Sequence, residues 1–91
     1  MTADPETVLD PRRKRLIFRS WHRGTKEMDL LMGSFADRHM AGFTDEQVAR
    51  YESLLELSDP DLYNWITGAE QAPEDVRSDV FDLLAAHRYA G

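Results

Sequence analysis

Apolar residues recur along this chain at helical rather than strand spacing. The clearest stripe is Met28, Leu31, Met32, Phe35, Ala36, His39 and Met40, at i, i+3, i+4, i+7, i+8, i+11 and i+12. Thr25 precedes it as an N-cap, Glu27 and Asp29 stand in the first turn where the helix dipole favours negative charge, and Gly42 ends it. Upstream, Asp10-Pro11 is a helix start and the pattern runs from about Pro11 to His22, with Leu16, Ile17, Ser20 and Trp21 on one face. Gly24 stops this first helix. Downstream, Phe43-Thr44-Asp45-Glu46-Gln47-Val48 is a capping box with an apolar staple, and it opens a third helix to about Leu57 with Val48, Tyr51, Leu54 and Leu55 inward. Asp59-Pro60 opens a short fourth helix bearing Leu62, Tyr63, Trp65 and Ile66, closed by Gly68. After a linker from Ala69 to Ala72, Pro73 is read as the start of a fifth helix burying Val76, Val80, Leu83, Leu84 and His87.

No segment alternates apolar and polar residues for long, and no hairpin turn separates β-branched runs. The pattern therefore predicts an all-α fold, a compact five-helix bundle with short connections and roughly antiparallel neighbours. Residues 1 to 9 read as a polar tail and 10 to 91 as a single helical domain. A chain of 91 residues has room for one modest core, and it has no cysteine. Disulfides, thiolate chemistry and cysteine-bound zinc are excluded, so packing must hold the fold together. No apolar run approaches the ~18 residues of a membrane span, so no membrane insertion is expected.

Charge changes the picture. The net charge is −6, yet Arg12, Arg13, Lys14, Arg15, Arg19, Arg23 and Lys26 crowd into one early stretch. The expectation is a bipolar molecule with a basic first helix on an acidic body. Overall acidity opposes nonspecific nucleic-acid binding, where phosphate neutralisation supplies most of the affinity, and it suits orientation toward a protein partner. The basic run reads more simply as a solvated helix face.

The candidate chemistry is sparse. His22, His39 and His87 show no i, i+4 metal spacing; His39 and His87 fall on apolar stripes as core or boundary histidines. No nucleophile elbow, phosphate-binding glycine loop or carboxylate pair beside a histidine is present, so the chain is read as a non-enzyme. The most informative segment is Arg23-Gly24-Thr25-Lys26-Glu27, at the corner between helices one and two. Arg23 and Glu27 either pair with each other across the corner or project from it to meet a partner's polar groups; the two can alternate. His22 lies beside the corner. In Asp59-Pro60-Asp61-Leu62-Tyr63-Asn64-Trp65, aromatics at i and i+2 cannot both face one core, so Tyr63 or Trp65 is expected to be partly exposed as an interface anchor.

These residues carry a family resemblance. Arg23-Gly24-x-x-Glu27 followed by Asp29, an apolar helix with a central Phe35, and Asp-Pro-Asp-Leu-Tyr-Asn-Trp resemble the succinate dehydrogenase assembly factors, the small SdhE-type flavinylation factors of bacteria and their mitochondrial counterparts. The resemblance covers roughly Arg13 to Leu84. It implies a five-helix assembly factor of chaperone type that binds the flavoprotein subunit of succinate dehydrogenase, and by extension fumarate reductase, and promotes covalent attachment of FAD. FAD would then be the partner's cofactor, with none held stably by this chain. The resemblance puts Arg23, Gly24 and Glu27 in the contact, with His22, Asp29, Tyr63 and Trp65 beside them. His22 stands where a second basic residue is common, and Thr25 where a bulky apolar one is. The implied location is the bacterial cytoplasm, or the mitochondrial matrix for a processed eukaryotic chain. Asp4, Glu6 and Asp10 argue against an uncleaved presequence. The free chain is expected to be monomeric. Two other readings stay open: a small FAD carrier stacking flavin on Tyr63, Trp65 and Trp21, and a nucleic-acid-binding regulator using the basic helix.

Overall fold

A computed structural model describes residues 9–87. Among them are five α-helices and no strand: α1 (Pro11–Trp21), α2 (Lys26–His39), α3 (Asp45–Leu55), α4 (Asp59–Thr67) and α5 (Asp79–Ala86). The expected all-α, five-helix architecture is what forms. The start signals act as their chemistry dictates. Asp10 accepts from the Arg13 amide at 2.8 Å, with Pro11 in the first turn. Thr25 accepts from Met28. Thr44 and Gln47 close a full capping box at 2.9 and 3.1 Å. α2 ends at His39 and tightens into a 3-10 turn over Met40–Gly42.

Two starts differ from expectation. α4 is capped by Ser58 rather than Asp59, because the serine hydroxyl one residue upstream takes the Asp61 amide and leaves Asp59 inside the first turn. α5 begins at Asp79, not Pro73. Pro73 to Arg77 make only an isolated turn, with Val76 and Arg77 amides on the Pro73 and Glu74 carbonyls. Ser78 then breaks the helical path with an extended backbone and caps the Phe81 amide at 3.1 Å. Arg50 and Gln47 of α3 hold Asp79 at 3.1 Å each, fixing that start from outside. The later start brings Val80, Phe81 and Leu84 inward and turns Leu83, expected in the core, outward at 39% exposure. Val76 packs half-buried against the core from the preceding turn. His87 lies just past α5 as its C-cap residue.

The core draws on every helix. Leu16 enters from α1; Met28, Met32, Phe35 and Ala36 from α2; Val48, Tyr51, Leu54 and Leu55 from α3; Leu62 and Ile66 from α4. Its polar members are satisfied. The Ser20 hydroxyl donates to the Leu16 carbonyl at 2.7 Å and lies 2.6 Å from the Tyr51 hydroxyl. Burial pushes the Tyr51 phenol well above its ordinary pKa and keeps it protonated.

Gly33 has a packing role that its place inside a helix hides. It is buried, and a Cβ there would meet the Trp21 indole at 2.1 Å. The missing side chain lets the indole of α1 lie on the backbone of α2.

His39 is half-buried between Phe35 and Phe43, at ring-centroid distances of 4.5 and 5.6 Å. Burial, with Arg38 nearby, lowers its pKa. A histidine whose folded pKa is depressed stabilises the fold above its unfolded pKa, and that contribution disappears as pH falls through the folded value. The melting temperature should therefore drop between about pH 7.5 and pH 5.5, and His39→Gln should flatten the drop. Asp10 and Asp79 are lowered too, by the Arg13 amide and the Gln47 amide first, so their contributions fade only toward about pH 4. Equal slopes in the wild type and His39→Gln over the neutral range would rule His39 out.

Candidate functional site

The corner between α1 and α2 is built by inward-pointing groups. Asp29, one turn into α2, accepts the backbone amides of Arg23 and of Gly24, the latter at 3.1 Å. Gly24 sits at φ +121°, a conformation that a side chain would strain. The Asp29 carboxylate is thus engaged in shaping the corner.

Arg23 does not pair with Glu27. Its guanidinium reaches Asp59 at 2.6 and 2.9 Å, the Leu55 carbonyl at 2.9 Å and the Leu57 carbonyl at 3.2 Å. Its side chain is only 10% exposed. The reason is local: the end of α3 leaves carbonyls without helical partners, and the start of α4 offers a carboxylate. A planar fork satisfies both at once. Arg13 does the same at the other end of α1, donating to the Met40 and Phe43 carbonyls at 3.0 and 2.7 Å and to Asp10 at 2.8 Å.

What remains exposed at the corner is Gly24, Thr25, Lys26 and Glu27. Among the described residues Glu27 has no ion-pair partner. It lies beside Tyr63 of α4, and together they line two adjoining open grooves. One, of about 450 Å³, has Leu30, Leu31, Ile66, Thr67 and His87 as its other walls. The second, of about 290 Å³, is completed by Thr25, Met28, Asp59 and Pro60. Tyr63 is thus the exposed aromatic of its segment, at 42%. Trp65 packs half-buried against the core. His22 stands apart from the grooves on the outer side of α1, where its Nδ1–H donates to the Phe18 carbonyl at 2.7 Å and its ring stacks on Phe18. Among the described residues no three His, Cys, Asp or Glu side chains gather to hold a metal ion. None of the described helices is long and apolar enough to cross a membrane.

A chain with an Arg-Gly corner, an outward Glu27 and an aromatic neighbour on α4 can now be set beside known proteins. The family described as flavinator of succinate dehydrogenase matches residues 14–88. The chain belongs to this flavinator family. Its curated relatives include succinate dehydrogenase assembly factor 2-B of Drosophila mojavensis, 36% identical over 91% of this chain and 54% of the relative. The assembly factor 2 of Dictyostelium discoideum is 38% identical over 87% of this chain and 56% of the relative. Both carry mitochondrial in their names. The chain spans about half the length of the curated relatives it matches. The resemblance drawn from the corner and the Asp-Pro-Asp-Leu-Tyr-Asn-Trp segment thus leads to the same family. Two structural roles within it, the Arg23–Asp59 clip and the Gly33–Trp21 contact, carry no local sequence signal beyond an isolated glycine inside a helix.

Proposed function

We propose that this chain binds the flavoprotein subunit of succinate dehydrogenase, and by extension fumarate reductase, and promotes covalent attachment of FAD to it without being an enzyme itself. The observation that carries the reading, beside family membership, is the outward Glu27–Tyr63 pair at a corner locked from behind. Glu27 and Tyr63 meet the client, Gly24 allows a close backbone approach, and His22 lies at the edge. Arg23, Asp29 and Trp65 support the surface from within. Arg23 meets the client only if its clip to Asp59 is exchanged.

The flavin supplies the bond-forming chemistry as its isoalloxazine methyl group joins a histidine of the client. The task left for a binding protein is orientation. A rigid corner that binds the aligned client conformer more tightly raises that conformer's population. The flavin-carrier alternative keeps only Tyr63 of its stacking set, since Trp21 lies over Gly33 and Trp65 against the core. The chain would act as a monomer wherever its client receives FAD, the mitochondrial matrix or the bacterial cytoplasm.

Coexpression of the flavoprotein with Glu27→Ala tests the proposal, with covalent flavin fluorescence read in a denaturing gel. Glu27 is exposed and has no partner among the described residues, so the variant should melt like the wild type yet lower labelling by about tenfold, the scale of a lost interface anchor. Undiminished labelling removes Glu27 from the contact.

A further inference from the structure

The six basic residues from Arg12 to Arg23 divide into two sets. Arg12 pairs with Glu52 at 2.7 Å, Arg13 with Asp10 at 2.8 Å, Arg19 with Glu56 at 2.9 Å and Arg23 with Asp59 at 2.6 Å. Arg12, Arg19 and Arg23 thereby tie α1 and the turn after it to α3 and α4, and Arg13 does so through its bonds to the Met40 and Phe43 carbonyls. Lys14 and Arg15 are exposed and have no partner among the described residues. Both flank Phe18, at i−4 and i−3, and His22 follows at i+4. The four side chains lie within about 100° of arc, opposite the buried Leu16 and Ser20.

Phe18 is 63% exposed, the most exposed of the large apolar side chains described. It is also held in place. Its ring stacks on His22 with centroids 4.0 Å apart and planes 24° apart, and the His22 ring is fixed by its bond to the Phe18 carbonyl. A solvent-facing aromatic ordered before any partner arrives loses little freedom on binding.

We propose that this face of α1 is a second contact for the client protein, seating Phe18 in an apolar pocket edged by carboxylates that meet Lys14 and Arg15. The inference rests on the functional reading above and extends it, because the face runs into the corner through His22 and Arg23. Charge decides the class of partner. Two free cations can displace only about two phosphate counterions, against roughly six to ten in a nucleic-acid binder. They also fall short of the about four to eight cations of an anionic-lipid cluster, and the chain as a whole is at −6. A carboxylate-edged protein pocket needs no more than the two cations and the ring.

Binding of the full chain to the apo flavoprotein, followed by rate and affinity at low and physiological salt, tests this face. Phe18→Ser should weaken affinity about tenfold or more. Lys14→Glu/Arg15→Glu should slow association about tenfold at low salt and flatten its salt dependence. Neither change touches the core, so melting should be unaltered, which keeps misfolding apart from lost contact. If the wild type binds and both variants bind with its affinity and salt dependence, the face is overturned while the functional reading stands. A wild type that fails to bind the flavoprotein takes down both. Phe18-dependent capture by anionic phosphatidylserine vesicles, or Phe18-dependent self-association in sedimentation, with client binding unchanged, would assign the face to a lipid surface or a second copy and overturn the proposal.

Discussion

Arg23→Ala is expected to lower unfolding free energy by about 3 kcal/mol, near the lower end of the range for breaking a buried ion pair. Four hydrogen bonds disappear, and the Asp59 carboxylate and the Leu55 and Leu57 carbonyls lose their donor. Asp59 keeps some access to water, at 21% exposure, which holds the loss below that of a fully enclosed charge. For a domain of this size the melting temperature should fall by more than about 10 °C. Arg23→Lys should recover only part of this, since a single ammonium cannot reach a carboxylate and two separate carbonyls as a planar fork does. Thermal and urea unfolding of the three proteins would decide it. A Tm within a degree or two of the wild type in Arg23→Ala would show that the clip contributes nothing. The prediction bears on function as well, because lost flavin attachment in Arg23→Ala would arise from a loosened fold, whereas the same loss in Glu27→Ala would arise from a lost contact.

Gly33→Ala should destabilise by about 2 kcal/mol, on the scale of overpacking a filled site. The new methyl group would sit 2.1 to 2.5 Å from three atoms of the Trp21 ring, so the indole must leave its place on α2. The sign should reverse once the indole is gone. In a Trp21→Ala background the atoms nearest the methyl group are gone, and alanine is the better helix former by up to about 1 kcal/mol. Chemical denaturation of both single variants and the double variant gives the coupling directly. Equal cost for Gly33→Ala in the two backgrounds would mean the ring and the glycine do not oppose one another.

These cases mark what the residue pattern could and could not tell. The caps at Asp10, Thr25 and Thr44 were legible because their donors and acceptors lie within three residues. The amphipathic faces of α2 and α3 were legible for the same reason. The start of α5 is not legible because Pro73 and Ser78 are both acceptable start signals, and long-range ties from Arg50 and Gln47 to Asp79 favour the second. That shift in phase exchanged Phe81 for Leu83 in the core. Spacing offers Arg23 either the nearest opposite charge in sequence, Glu27, or an outward course to a partner, whereas its guanidinium turns inward to a carboxylate 36 residues on. The basic run reads as one solvated face because spacing alone does not say which arginines meet Glu52 and Glu56.

The clip from Arg23 to Asp59 also sets when the corner can take its final shape. The carbonyls and carboxylate it grasps belong to the second half of the chain, so a nascent chain still short of Leu55 has nothing for the arginine to hold. A short synthetic copy of the turn would lack that brace as well and should be a poor substitute for the whole domain. The corner is thus braced only once Asp59 has been made, and under the proposed function a half-made molecule would be a poor binder of the flavoprotein.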